Sequence, residues 1–268
     1  MKKLFAILIV GIISMSLFAA GDTDQTGDQS LANVQKKGTF VLGLDDSFPP
    51  MGYRDESGEI VGFDIDLARE VAKRLGVELV PQAIDWSAKE QELATGNIDC
   101  IWNGFTVTPE REEMMTFSAP YVNNAQVVVV KGSSSVQDIE DLAGATIGVQ
   151  AGSSGQVAIE DNPDFSASIG EVIEFKDYLT ALMDLEAGGV DAVVMDVIVA
   201  NDNISRSGKD FKILPGSLAD EEYAIGFRKG DLALCEAVDS ALLGMAEDGT
   251  LAEISTAWFG QDITTIGK

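Results

Sequence analysis

The sequence predicts an α/β protein built as two domains that face each other across a ligand cleft. Three observations lead there. Segments of strand type and helix type alternate along the chain, the signature of parallel sheets with crossover helices. One stretch of the chain repeats itself once. The 268 residues, 46% of them hydrophobic and 23% charged, are enough for one large or two ordinary folded domains and exclude a disordered or fibrous chain.

The elements follow in chain order. Lys2 and Lys3 precede the uncharged apolar run Leu4–Ala20. That run is short for a membrane span, and a basic flank ending in small residues reads as an export signal over 1–20. Leu17-Phe18-Ala19-Ala20-Gly21 is similar to a lipoprotein signal box with Gly21 where the lipidated cysteine would stand. Residues 21–37 are polar and rich in Asp, Gln, Thr and Gly, which predicts a flexible tether. Gly38–Asp45 then reads as a β-branched strand running into a polar turn, and Gly144–Gln150 reads the same way. Leu67, Val71 and Leu75 recur every four residues within Phe63–Gly76, and Leu179, Leu182 and Leu185 recur more loosely; both predict helices. Leu93–Gly104 can be laid over Leu185–Asp196, each a helix end, a glycine stop and a buried strand opening Ile-Asp or Val-Asp. Asp231–Met245 reads as a further helix.

In open parallel sheets ligands sit at the carboxyl ends of strands. The repeat therefore predicts that Asp45–Phe48 and Asn103–Thr106 face Gln150–Ser154 and Asp196. Asp196 closes an apolar strand, where a carboxylate is costly unless it meets a cation. Asp64 and Asp66 read as helix-start residues complementing the dipole.

Charge and composition narrow the function. The chain carries 18 Lys+Arg against 44 Asp+Glu, net −26. Residues 1–37 hold four lysines and three aspartates, so the remainder carries 14 basic and 41 acidic residues, and the acidity belongs to the folded part. Nucleic acid is excluded as a partner, because nothing here neutralises a run of phosphates. Without histidine the chain lacks the usual general base and the commonest metal ligand, and no metal or other cofactor is implied. Cys100 and Cys235 both fall in apolar surroundings, which leaves either a disulfide or two buried thiols.

Gly43-Leu-Asp45-Asp-Ser-Phe48-Pro49-Pro50-Met, Gly62-Phe63-Asp64-Ile-Asp66-Leu67, Asn103-Gly104-Phe-Thr106-Val-Thr108-Pro-Glu110-Arg111, Phe117-Ser118-Ala-Pro-Tyr121 and Asp248-Gly249-Thr250…Trp258-Phe259-Gly260 stand in this order. Together they resemble the extracellular solute-binding proteins of ABC importers, family 3, which bind polar and basic amino acids. The resemblance runs from about Gly38 to Asp262. It implies a periplasmic-binding-protein-like fold of type II: two α/β lobes joined by two crossover strands, with the ligand cleft between them. It divides the chain into a first lobe of 38–123 and 222–268 around a second lobe of 124–221, with crossovers near Asn123–Gln126 and Asp220–Ala224.

Carried over residue by residue, the resemblance implies that Arg111 clamps a ligand α-carboxylate, which a planar guanidinium matches bidentately. Backbone N–H groups of Thr106 and Ser154 add donors, beside Ser153 at a helix start. Asp196 takes the α-ammonium with the Gly104 carbonyl and the Thr106 hydroxyl. Phe48 and Trp86 sandwich the ligand side chain, and Asp45 and Gln150 read its distal end, with Asn103 in the same loop. The implied function is a non-enzymatic, monomeric receptor, periplasmic or attached at the cell surface, that captures a free L-amino acid and passes it to ABC permease subunits in the membrane. Asp45 and two aromatics lean towards arginine or lysine; glutamine and cystine stay open. The alternative is a cyclohexadienyl (prephenate or arogenate) dehydratase on the same scaffold. That chemistry needs an acid in the cleft, and the turn Gly152–Gln156 carries none.

Overall fold

The computed structural model describes residues 27–268. The expected export signal and residues 21–26 of the expected tether lie outside them. In the first lobe the chain forms α1 (Ser30–Lys37), β1 (Thr39–Leu44), β2 (Ser47–Phe48), β3 (Gly52–Arg54), β4 (Ile60–Val61), α2 (Phe63–Leu75), β5 (Glu78–Ala83), α3 (Lys89–Ala94), β6 (Cys100–Ile101), α4 (Pro109–Met114) and β7 (Met115–Phe117). It leaves along the long strand β8 (Val122–Lys131). The second lobe adds β9 (Thr146–Gln150), α5 (Ser154–Glu160), α6 (Pro163–Ser168), β10 (Glu171–Phe175), α7 (Tyr178–Ala187), β11 (Ala192–Asp196), α8 (Val197–Ser207) and β12 (Phe211–Ile213). The chain returns through β13 (Ala219–Tyr223) and ends on β14 (Gly226–Arg228), α9 (Leu232–Asp248) and α10 (Thr250–Phe259).

Each lobe is built on one main sheet, in the orders β5-β1-β6-β14-β7 and β10-β9-β11-β8-β12, and the first lobe adds the small antiparallel sheet β2-β3-β4. The internal repeat is visible in them. The strands Gly38–Asp45 and Gly144–Gln150 become β1 and β9, each flanked by two parallel neighbours, β5 and β6 in one sheet and β10 and β11 in the other. The sheets are mixed where purely parallel ones were expected. β14 and β7 in the first sheet, and β8 and β12 in the second, run antiparallel to their neighbours. The reason is the connectivity: a strand that passes from one lobe to the other enters the new sheet without a crossover helix.

The two segments expected to be crossovers pair with each other, from Val122↔Tyr223 to Gln126↔Ala219, forming an antiparallel hinge ribbon. Apolar strands fill both cores. Phe40, Leu42 and Leu44 of β1 share one buried cluster with Leu67 and Val71 of α2, while Val127–Val130 and Ala192–Met195 are buried throughout, as strands covered on both faces must be.

The tether expectation needs correction for residues 30–37. They form α1, which buries Val34 and packs on β1 and α9. Its lead-in also caps α9: Asp28 Oδ2 accepts from the Ala233 N–H at 2.6 Å and Ser30 Oγ from the Leu234 N–H at 3.0 Å. The residue at the N-cap of α9, Asp231, makes no capping bond with its own side chain. Two donors left over at a helix start are thus satisfied from a segment some 200 positions away. Cys100 and Cys235 are both buried free thiols. Among the described residues no helix is long and apolar enough to cross a membrane.

Candidate functional site

The parallel strands of both lobes end at one narrow cleft. Asp45 follows β1, Phe48 lies in β2, and Asn103, Gly104 and Thr106 follow β6. Gln150 ends β9, Ser153 and Ser154 start α5, and Asp196 ends β11. Trp86, in a 3₁₀ turn after β5, and Arg111 on α4 complete the set. All eleven residues expected from the sequence line this cleft, joined by Tyr178 at the start of α7.

Arg111 is placed by the start of α4. The Thr108 hydroxyl accepts its backbone N–H at 3.3 Å and Pro109 opens the helix. Its side chain is 7% exposed and its guanidinium lies 4.5 Å from the Phe105 ring centre. It donates to the carbonyls of Thr106, at 2.9 Å, and of Gly152 in the other lobe, at 3.3 Å. Among the described residues no carboxylate oxygen comes within 4.0 Å of it, so a buried cation faces the cleft without a counter-ion. Burial pulls its pKa down, against the attraction of Glu90, Glu221 and Asp196.

Asp196 is the opposite pole. Its Oδ1 accepts from Asn124 Nδ2 at 2.7 Å, Gln126 Nε2 at 2.9 Å and the Tyr223 hydroxyl at 2.7 Å, all from the hinge ribbon. Burial, and then the charge of Glu221, push its pKa up to about 7. A carboxylate so desolvated is stabilised by any cation that reaches its second oxygen.

Asp45 is raised to about 6, first by burial and then by the charges of Asp177 and Asp46 against its hydrogen bonds. It is bonded across the cleft by Gln150 Nε2 at 2.7 Å. Phe48 lies 5.9 Å from Tyr178, centre to centre, while Trp86 meets Phe105 edge to face at 5.8 Å. The two expected sandwich residues thus each pack on another ring.

The cleft-lining loop after β6 is held from beneath. Asp64, fully buried, accepts from the Gly104 N–H at 2.7 Å and the Tyr121 hydroxyl at 2.9 Å, and burial raises it to about 7. It therefore does more than begin a helix. Gly104 is needed for its backbone, at φ 55°, and for space: a Cβ there would lie 2.9 Å from both Phe48 Cε1 and Tyr223 Cε2.

Direct bonds close the cleft. Ser154 Oγ donates to Thr106 Oγ1 at 3.1 Å, and Lys89 Nζ donates to the Gly152 carbonyl at 2.9 Å. Lys89 is itself buried beside Arg111, with its pKa pulled down to about 8 by desolvation and then by Arg111.

Sequence reasoning missed Tyr178, Lys89, Gln126, Asn124, Glu221 and Tyr223. Period-two alternation was a usable signal for the last four: Asn124 and Gln126 share one face of β8, and Glu221 and Tyr223 share one face of β13. Within Asp220-Glu221-Glu222, however, Glu221 looks like solvated surface. Lys89 and Tyr178 carry no comparable signal.

Comparison with known proteins follows the same lines. The family model of bacterial extracellular solute-binding proteins, family 3, matches residues 40–261. The chain is 29% identical to the L-cystine-binding protein TcyJ of Escherichia coli (strain K12) over 96% of each chain. It is 30% identical to the arginine-binding extracellular protein ArtP of Bacillus subtilis (strain 168), over 97% of this chain and 98% of that one. Among solved structures, a substrate-binding protein of an ABC uptake transporter from Streptococcus pneumoniae with bound histidine superposes with a TM-score of 0.86 at 37% identity, covering 89% of this chain and 99% of that one.

Proposed function

Because the chain belongs to the bacterial extracellular solute-binding proteins of family 3, we propose that it captures one free L-amino acid between its lobes and delivers it to an ABC permease. The observation that carries this reading is the pair of unmatched buried charges. Arg111 lacks a counter-ion, Asp196 is held by neutral donors on one oxygen only, and the two sit in one cleft. A zwitterionic α-amino acid supplies both missing partners at once, the carboxylate to Arg111 and the ammonium to Asp196.

The distal end of the cleft favours a cationic side chain. Asp45 is buried there, and the charges of Asp46 and Asp177 add to its own. Arginine and lysine fit this end first, and Phe48 with Tyr178 offers an aromatic wall for the apolar stem. Cystine and glutamine are the competing ligands. The receptor acts as a monomer of two lobes, 38–123 with 222–268 and 124–221, exported by the leader 1–20. On this reading it catalyses no reaction, because Arg111 and Asp196 hold a zwitterion in place.

A thermal-shift screen against the twenty L-amino acids, cystine and ornithine is expected to give one or two strong hits. Calorimetry should then find one site, with affinity lowered by about thirtyfold or more in Arg111→Met and in Asp196→Asn, the usual consequence of orphaning a buried charge partner. Retained affinity in both variants would refute the assignment. Turnover of prephenate or arogenate by the purified protein would replace the receptor reading with an enzymatic one.

A further inference from the structure

Glu221 lies outside the set of residues that line the cleft, yet it is the most heavily bonded carboxylate near it. It stands on β13 directly opposite Asn124 of β8, on the face of the hinge ribbon that carries Tyr223. Its Oε2 accepts from Thr106 Oγ1 of the first lobe at 2.9 Å, and from Asn124 Nδ2 and Gln126 Nε2 of the hinge at 3.0 Å each. Those two amides also donate to Asp196 Oδ1, so both hinge amides bridge the same two carboxylate oxygens. The Thr106 hydroxyl that donates to Glu221 in turn accepts from Ser154 of the second lobe. Ser154 Oγ of the second lobe also donates to the same Oε2 at 3.4 Å, so one oxygen atom ties together the first lobe, both hinge strands and the second lobe, the last both directly and through Thr106.

We propose that Glu221 is a positioning residue that couples ligand capture to closure: it locks the Thr106–Ser154 contact between the lobes and holds the amides that present Asp196. This rests on Asp196 as the acceptor of the ligand ammonium. Thr106 and Ser154 stand on different lobes, so opening the cleft parts them and leaves Glu221 without its lobe-to-lobe chain of bonds. The second negative charge also strengthens the pull on an ammonium at Asp196. Glu221→Gln keeps an acceptor oxygen for Thr106 but loses that charge; Glu221→Ala loses both.

The test is stopped-flow release of the L-amino acid that gives the wild type its largest thermal shift, L-arginine first, from the wild type, Glu221→Ala, Glu221→Gln and Asp196→Asn. Distances between spin labels on the two lobes, taken at saturating ligand, accompany it. Glu221→Ala is expected to release ligand about ten to a hundred times faster, the range for losing hydrogen bonds to a charged group, with a shift towards longer inter-lobe distances. Glu221→Gln, the variant least exposed to misfolding, should fall between it and the wild type. A purely structural role would lower melting temperature and leave release unchanged. Wild-type release rates in both Glu221 variants, with binding lost in Asp196→Asn, would overturn the role of Glu221 alone. Failure of the wild type to bind any L-amino acid would overturn the ammonium reading and this proposal with it.

Discussion

At the scale of the residue, the site is a set of charges kept out of water and left incomplete. Asp196, Asp45 and Asp64 all have their pKa raised mainly by burial, to about 7, 6 and 7. The sign of the linkage follows. A raised carboxyl binds its proton more tightly in the folded chain than in the unfolded one, so its stabilising contribution is complete below about pH 4 and is lost as pH rises through about 6 to 7. A ligand ammonium acts in the opposite direction, since it favours the ionised form of Asp196. Binding at pH 6.5 is therefore expected to release protons, and affinity to rise between pH 5.5 and 8. Titration calorimetry in two buffers of different ionisation enthalpy measures this directly; proton uptake, or affinity falling with pH, would contradict it. Arg111 was legible only through the family resemblance, and Asp196 also from the internal repeat and the cost of a carboxylate at a strand end. Lys89 was not, because a lysine in a polar helix start looks the same whether it is solvated or folded under a tryptophan.

At the scale of the element, the alternation of strand and helix was legible because β1, β9, β11 and α2 are apolar on a regular period. The mixed direction of the sheets was not, since it depends on which strand carries the chain between lobes and on no local pattern. α1 was missed for a related reason. Its composition is that of a tether, and it is held by partners on α9 far along the chain. Replacing Ser30 with alanine strips a cap from α9 and is expected to cost about 1 kcal/mol, and Asp28→Ala with Ser30→Ala about twice that. Urea unfolding measures both, and wild-type stability in the double variant would mean that α1 merely rests on the lobe.

At the scale of the whole molecule, the net charge of −26 is carried largely by the folded surface and selects no ligand. What selects is the meeting of two sheets at their carboxyl edges, with a hinge ribbon behind them whose side chains reach into both lobes. On the proposed reading closure works by population: a ligand that bonds Arg111 in one lobe and Asp196 in the other would favour the closed arrangement by its differential affinity. The repeat made the facing edges legible, while the content of the hinge, Asn124, Gln126 and Glu221, emerged only when two segments nearly a hundred residues apart were seen to pair. The most direct test is a crystal structure of the complex with the amino acid selected by the screen. The ligand carboxylate is expected at about 3 Å from the Arg111 guanidinium and the ligand ammonium at about 3 Å from Asp196. A ligand bound outside this cleft, or seated within it with neither charge met by those two residues, would contradict it.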